Sequence, residues 1–465
     1  MISAAAHPSI VADYIAKELV KGRTIPWHSL PAQVSRFGVI PKKHQPGEWR
    51  LIVDLSAPEG KSVNDGIQKQ LCSLQYIKVT DVAAQVYKAG KGALMAKMDV
   101  KSAFRTIPVH PDDRLLLGTF WERQYYVDTV LPFGLRSAPK IFNAVADALQ
   151  WIVKQNGVTY LEHYLDDFIT IGGEDTEECA DNLSMLLQMC ATLGIPVAPE
   201  KTVTPTPIIT FLGIEIDSIA QQLRLPAEKM ARILKMLRSW SSKKNATKKD
   251  LQSLAGTLED AARIIKPGKA FLRRIYTAVG GLFKPHHHVR LNEAVRSDLA
   301  WWLAFMEKWN GITLFSTCCT TIPSVIVTSD ASGSWGCGAY TRHHWFQIPW
   351  ALYESYAAEN IATKEMLPII VAAALWGSCW QGDKVLFRCD NMAVVAALSK
   401  RFCKDRQMMH LLRCLHFFEA YYRFNLISEH ICGIDNDLAD DLSRDNLSAF
   451  LQKSNLSATA VSAIP

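Results

Sequence analysis

The chain has little that would tie it to a membrane or to the outside of a cell. No run of about 18 apolar residues appears, and the N-terminus lacks a basic segment followed by an apolar one. Neither a spanning helix nor a secretory signal is therefore expected. The 11 cysteines are scattered, and no Cys-x-x-Cys pair occurs. That argues against both a zinc knuckle and a disulfide scaffold, and makes a reducing interior, cytoplasm or nucleus, the expected setting. His286-His287-His288 has no companions at zinc-ligand spacing and reads as a loop. Long repeats and low-complexity segments are missing too. What is present is 465 residues, 49% of them hydrophobic, enough by length for about three domains with sizeable cores.

The most informative stretch is Tyr164-Leu165-Asp166-Asp167, two adjacent carboxylates inside an apolar run. Its flanks, Thr159-Tyr160-Leu161 and Phe168-Ile169-Thr170-Ile171, are rich in β-branched and aromatic residues, and Gly172-Gly173 then breaks the pattern. This predicts two strands joined by a tight turn carrying both aspartates. Like charges side by side repel unless a cation neutralises them, which points to Mg2+. Taken alone, the tetrapeptide fits a solvated hairpin turn equally well. A third carboxylate, Asp99, ends the strand-like run Leu94-Met95-Ala96-Lys97-Met98 and leads into Val100. Mg2+ takes few protein ligands and keeps sites for water and phosphate oxygens. Carboxylates converging from separate segments therefore suit a two-metal phosphoryl-transfer centre.

Acidic residues recur in the C-terminal third in a different layout. Val325 to Ser332 reads as a buried strand ending near Asp330, and Glu365 opens an apolar helical run, Met366 to Trp376. Lys384 to Cys389 is a further short strand that ends at Asp390-Asn391. His430 and a cluster of Asp435, Asp437, Asp440 and Asp441 follow. Carboxylates from strand ends and helices, with a histidine, suit a second two-metal site. Between the two acidic regions lies the positive charge. Residues 221 to 297 hold 17 Lys and Arg against 5 Asp and Glu, a net of +12, whereas the whole chain is +6. Glu228 to Trp240 and Lys248 to Ile265 have helical periodicity, separated by the polar Lys243-Lys244-Asn245. Such an asymmetry suits a helical element that grips phosphates without reading sequence.

In this order, the motifs resemble those of reverse transcriptases over roughly residues 30 to 445. The resemblance implies an α/β (α+β) fold. A right-hand palm and fingers polymerase would span 1–225, a basic helical thumb and connection 226–322, a ribonuclease H-like mixed-sheet domain 323–446, and a flexible tail 447–465. It implies that Asp99, Asp166 and Asp167, with Val100 beside them, hold two Mg2+, for which Mn2+ can substitute. Gly47 to Asp54 looks like the fingers segment in which an arginine and a lysine contact the triphosphate. Arg50 is the match, with Lys42 or Lys43 as its partner. A guanidinium suits bidentate phosphate recognition, and a lysine supplies a point charge. Leu131 to Pro139 resembles the segment lying against nucleotide and template. It contains Phe133 and a Gly134 that would permit close backbone approach, and a run with helical spacing, Ile141 to Trp151, follows it. Lys201 stands where the family carries a basic residue near the triphosphate, and Phe211-Leu212-Gly213-Ile214-Glu215 resembles the primer grip. Phe104, five residues after Asp99, stands where the family places a ring beneath the sugar. There it would clash with a 2′-hydroxyl and favour deoxynucleotides.

The later acids resemble the ribonuclease H quartet, which would map onto Asp330, Glu365, Asp390 and Asp440. The family's last aspartate follows an asparagine by four residues within an Ala-Asp pair. That selects Asp440 and leaves Asp437 in the first helical turn, near the positive end of the dipole. His430 matches a histidine that assists product release or proton transfer. The implied partners are an RNA template, a DNA primer, their RNA–DNA hybrid and deoxynucleoside triphosphates, with no membrane. Phe133 in place of a glutamine points away from orthoretroviruses and towards retrotransposons. The short basic thumb and the form of the nuclease region look most like DIRS-type elements, which encode a tyrosine recombinase elsewhere, with gypsy-type LTR elements as the near alternative. No protease, integrase or recombinase constellation is visible, so the chain resembles one part of a larger polyprotein. The opposing reading is a decayed or domesticated nucleic-acid-binding relic. Loss of any metal carboxylate would favour it, and all of them are present.

Overall fold

The computed structural model describes residues 2–41, 47–309, 313–314, 322–454 and 456. The chain divides into two compact units, Met1–Lys78 with Gly92–Pro207, and Val79–Lys91 with Ile208–Pro465. The sequence boundary after residue 225 thus falls inside the second unit. The cause is a sheet formed by β10 (Ile208–Phe211), β11 (Ile214–Asp217), β12 (Gln222–Arg224) and β15 (Thr313–Leu314), whose strands pair with one another.

After a single helical turn, Ile2–Ala5, the first unit continues with helix α1 (Pro8–Val20), which carries its proline in the first turn, where the missing N–H is no loss. A five-stranded sheet follows, in the order β1 (Thr24–Trp27), β6 (Gln124–Asp128), β5 (Gly118–Trp121), β2 (Val34–Pro41) and β3 (Trp49–Asp54). The second sheet runs β7 (Leu161–Tyr164), β8 (Asp167–Gly172), β4 (Leu94–Asp99), β9 (Val203–Thr206). Its central strands are apolar almost throughout and are correspondingly buried. Helices α3 (Ala138–Gln155) and α4 (Glu178–Thr192) cover it, with Phe142, Leu149 and Leu186 sharing a core with Met98 and Phe168.

In the second unit, α2 (Val79–Ala89) groups with four helices of the basic region: α5 (Ala227–Ser241), α6 (Lys248–Ala261), α7 (Arg273–Gly280) and α8 (Glu293–Trp309). The polar break expected between α5 and α6 is in fact β13 (Asn245–Thr247), paired with β14 (His288–Arg290). The histidine run expected as a loop therefore ends in a strand at His288. Trp302 is fully buried, and Trp301 stacks on Phe271 with ring centroids 3.8 Å apart.

The remainder is a five-stranded mixed sheet ordered β18 (Trp345–Pro349), β17 (Gly336–Tyr340), β16 (Val325–Ala331), β19 (Lys384–Cys389), β20 (Asn425–His430). The first three strands are antiparallel hairpins, and the β16–β19 and β19–β20 pairs are parallel. Helix α9 (Ile361–Trp376) packs on β16 and β17 and against α11 (Arg406–Tyr422), with α10 (Met392–Lys400) between them in sequence. By length and composition the segment Ile361–Cys379 is apolar enough to cross a membrane, but 72% of its most apolar stretch is buried. It is a core helix, and only Lys364-Glu365 breaks its apolar run.

On the sheet's strands β16, β17 and β18 sits α12 (Asp437–Ser443), whose Leu442 lies so close to Gly338 that a Cβ there would meet it at 2.6 Å. The flexible tail expected over 447–465 is corrected for its first eight residues, and residues 455 and 457–465 lie outside the described residues. Leu447–Ser454 is a helix, α13, and its Phe450 is fully buried in a cluster with Trp345 and Leu442. The apolar positions Leu447, Phe450 and Leu451 fall at helical spacing and cover that cluster.

Candidate active sites

The first carboxylate group is built by a hairpin and a neighbouring strand. Tyr164 pairs with Asp167, leaving Leu165-Asp166 as a two-residue loop. Leu165 has φ +54°, the positive value that tight hairpin turns require and that a leucine adopts only under constraint. The Val100 N–H donates to the Asp166 carbonyl at 2.9 Å and ties this loop to the end of β4. In the β4–β8 ladder Asp99 is the register partner of Asp167. Three carboxylates thus meet from two segments of chain.

Their protonation reflects that crowding. Burial, then Asp166 and Asp99, pushes Asp167 up to about 6. Asp166 is also raised by burial, with Asp99 adding to the effect and Lys201 opposing it. Lys201 Nζ donates to Asp99 Oδ1 at 2.8 Å, and this bond raises the lysine. The resemblance placed Lys201 near a triphosphate, whereas here it serves as counter-ion to Asp99. Acids that hold protons for want of positive charge are a donor set suited to divalent cations.

Shortly after Asp99 in the chain, an aromatic cluster forms around Phe104. Phe104 sits on a short turn, Ala103–Thr106, half-buried, with its ring 5.5 Å from that of Phe133 and 5.9 Å from that of Phe142. Phe133 is 53% exposed. Gly134 has φ +95°, and a Cβ there would lie 3.3 Å from the Val53 carbonyl oxygen, so both conformation and close approach require glycine. Buried Asn64 clamps this loop: its Nδ2 donates to the Gly134 carbonyl at 2.9 Å, and its Oδ1 accepts from the Arg136 N–H at 2.8 Å. Arg50 is exposed on the edge strand β3. Lys42 and Lys43 lie outside the described residues.

The segment expected to resemble a primer grip belongs to the second unit, where Leu212 and Gly213 form the turn between β10 and β11 with φ +50° and +73°. Two basic side chains of the helical region bond its carbonyls, Lys229 Nζ to Gly213 at 3.0 Å and Arg263 Nη1 to Leu212 at 3.3 Å.

The second carboxylate group lies wholly in the second unit. Asp330 is buried on β16, Glu365 is buried in the second turn of α9, Asp390 follows β19, and Asp440 is on α12. Asp330 is raised by burial and then by Asp390 and Asp440, against a Ser443 hydrogen bond. Glu365 is pushed up to about 7 by burial and by Asp390 and Asp330, with Cys389 and Asn391 opposing. Donor atoms of Glu365, Cys389 and Asp390 lie within 4.8 Å of one another. The Cys389 thiol donates to Glu365 Oε2 at 3.2 Å. Asn436 Nδ2 donates to Asp330 Oδ1 at 3.3 Å. Of the crowded acids near 440, Asp440 shares a field with Asp330 and pairs with Arg444 at 2.6 Å. Asp437 and Asp441 instead meet Lys453. His430 is exposed, with Nε2 3.0 Å from the Asp390 carbonyl oxygen.

Two residues that touch these sites gave no signal in the sequence, Asn64 and Cys389, and Asn436 was read only as the asparagine four residues before Asp440. Each acts through a contact between distant segments, or, for Cys389, through the direction of a strand-end side chain.

Residues 40–216 match the family model described as reverse transcriptase (RNA-dependent DNA polymerase). The Gag-Pro-Pol polyprotein of Mason-Pfizer monkey virus is 27% identical over 296 residues, 62% of this chain and 15% of the polyprotein. Polyprotein P3 of Commelina yellow mottle virus is 26% identical over 243 residues, 51% of this chain and 12% of its own length. The enzymatic polyprotein of cauliflower mosaic virus (strain D/H) is 23% identical over 375 residues, covering 76% of this chain and 50% of the polyprotein. The chain therefore spans at most half the length of these curated relatives. Among solved structures, the foamy viral protease-reverse transcriptase in complex with RNA/DNA hybrid is similar with a TM-score of 0.54 and 18% identity, over 91% of this chain and 54% of that one. The same foamy viral protein in complex with dsDNA gives 0.53 at 17% identity, over 90% and 82%. At that identity the shared property is the fold.

Proposed function

We propose that this chain, whose residues 40–216 form a reverse transcriptase domain of retroelement or retroviral type, is an RNA-directed DNA polymerase that also cleaves the RNA of the hybrid it makes. One observation carries the reading: Asp99 and Asp167 are register partners, and Asp166 is held beside them by the Val100 N–H. Asp99, Asp166, Asp167 and the Val100 main chain would hold two Mg2+, which when bound supply charge neutralisation at the triphosphate and a more acidic primer 3′-hydroxyl. The protein's own contribution is positioning. The hairpin turn fixes Asp166, Lys201 balances Asp99, and Asn64 sets the loop bearing Phe133 and Gly134. Phe104 presents a ring that excludes a 2′-hydroxyl. Arg50, with a fingers lysine, takes the triphosphate.

In the second site Asp330, Glu365, Asp390 and Asp440 would hold a further pair of ions across an RNA phosphodiester, with His430 near Asp390 for product release or proton transfer. The exposed cations of residues 221–297 grip phosphates without sequence preference, while Lys229 and Arg263 brace the Leu212-Gly213 turn. The A-form hybrid and the 2′-hydroxyl identify the strand to cut. As to source, a DIRS-type element with its own tyrosine recombinase fits best and a gypsy-type element next. The cytoplasm or nucleus is the proposed setting.

The test is a labelled RNA template with a DNA primer, deoxynucleotides and Mg2+, followed for both extension and template loss. Extension with template loss is expected. Tight binding of the hybrid without either activity would make the chain the non-enzymatic relic.

A further inference from the structure

Arg105 follows Phe104 in the same turn, and its guanidinium enters a buried cluster of charge. Nε and Nη2 donate to Glu18 Oε2 at 3.0 and 2.8 Å, and Nη2 also donates to Asp128 Oδ1 at 2.9 Å. The Thr24 hydroxyl donates to the same Asp128 oxygen at 2.6 Å, across the β1–β6 register pair Thr24 and Asp128. Arg105, Glu18 and Asp128 are 3%, 5% and 9% exposed, and Arg105 Nη1 is buried with no hydrogen-bond partner. One side chain thereby connects helix α1, the edge strand β1 with its neighbour β6, and the turn that carries Phe104.

Stability is a weak reason for burying three charges. Apolar replacements of a buried ion pair are often neutral or stabilising, because desolvation offsets the attraction. A fixed geometry is what such a cluster supplies. The turn needs one, since Ser102, between Asp99 and Phe104, has φ +54°. A residue without glycine's freedom stays there only when its surroundings over-determine it. Two local bonds contribute, the Arg105 N–H to the Ser102 carbonyl at 2.7 Å and the Thr106 hydroxyl to the Ala103 carbonyl at 2.6 Å. The Arg105 side chain adds the long-range anchor.

We infer that Glu18 and Asp128, acting through Arg105, are positioning residues that set the height of the Phe104 ring and hence the choice between deoxy- and ribonucleotides. This makes the N-terminal helix part of the sugar-selection apparatus, and it rests on reading Phe104 as the ring that meets the sugar. Because Nε and Nη2 of Arg105 are both engaged in the cluster and Nε bonds only Glu18, a loss at Glu18 reaches the turn without any change to Phe104 itself.

The test is the ratio of kcat/KM for dTTP and UTP opposite the same template base. Wild type is compared with Glu18→Gln, Arg105→Lys, Phe104→Ala and the Glu18→Gln/Phe104→Ala double variant. Glu18→Gln and Arg105→Lys are expected to lower the ratio by about fivefold or more, and Phe104→Ala by more still. In the double variant the Glu18 effect is expected to vanish, because the ring it positions is gone. A uniform fall in kcat for both sugars at an unchanged ratio would make the cluster merely structural and overturn the inference alone. An unchanged ratio in Phe104→Ala, with extension intact, would overturn the reading of Phe104 and this inference together. Should Arg105→Lys fail to fold, Glu18→Gln, which keeps volume and a hydrogen-bond acceptor, carries the test.

Discussion

Asp99 and Asp167 face each other as partners on adjacent antiparallel strands, and Lys201 bonds Asp99 from a separate segment. Two acids so placed, with Asp166 in the adjoining turn, share a deficit of positive charge that a bound cation relieves. Asp166→Asn is therefore expected to cut primer extension by more than about 100-fold while leaving hybrid cleavage intact. Extension at the wild-type rate would remove Asp166 from the site.

Lys201 competes with any cation for Asp99 Oδ1. Lys201→Ala should lower the Mg2+ concentration needed for half-maximal extension and raise KM for the incoming nucleotide. If titration with Mg2+ gives an unchanged midpoint, Lys201 leaves Asp99 before the metal arrives.

Asp390→Asn should reverse the pattern of Asp166→Asn, abolishing cleavage of a labelled hybrid while primer extension persists. Chelation of divalent ions should stop both activities, and Mg2+ should restore both. RNA cutting at full rate by the variant would mean that the four acids around Asp390 do other work.

Away from both sites, Arg401 bonds Glu419 through both guanidinium ends, and His416 Nδ1 lies 2.7 Å from Glu419 Oε2. Burial alone would raise Glu419, but the charge and hydrogen bonds of Arg401, with those of His416, hold it well below the usual range. His416 is lowered by burial first and by Arg401 second. Both groups bind fewer protons folded than unfolded, so stability rises with pH wherever they titrate. The His416 contribution is complete above about pH 6.5 and fades below it, and that of Glu419 is complete above about 4.3 and fades below that. The raised Asp167 and Glu365 act in the opposite sense between about pH 4 and 7, so the measurement is the difference in melting temperature between wild type and Glu419→Gln, which should shrink as pH falls below about 4.3. A difference that stays constant with pH contradicts the linkage.

Phe450→Ala should destabilise the C-terminal mixed sheet by about 3–5 kcal/mol, because Phe450 is fully buried with Trp345 and Leu442. Denaturant melts of the variant measure this. A change of a few tenths would return 447–454 to the role of a fraying tail.

How much of this was legible in the chain depends on the range of each interaction. Asp99, Asp166, Asp330 and Asp390 could be read because each ends an apolar run, a pattern set by local periodicity. The hairpin could be placed, but not the strained backbone of Leu165, since leucine carries no turn signal. Lys201 was legible as a useful cation, yet its partner Asp99 lies 102 positions away, and only the fold brings the two together. Arg105 drew no reading from the sequence, because its two carboxylates come from residues 87 and 23 positions distant. The tail was misread because helix α13 has weak intrinsic signals and is held by Trp345, far upstream.

Helix α9 has a consequence for how the chain is made. A ribosome releases Ile361–Cys379 before β19, α11 and β20 exist, and α11 is one of the surfaces that later covers it. During that interval the apolar run of α9, broken only by Lys364 and Glu365, lacks the partners that bury it in the finished fold, so its burial is completed by segments that follow it in the chain.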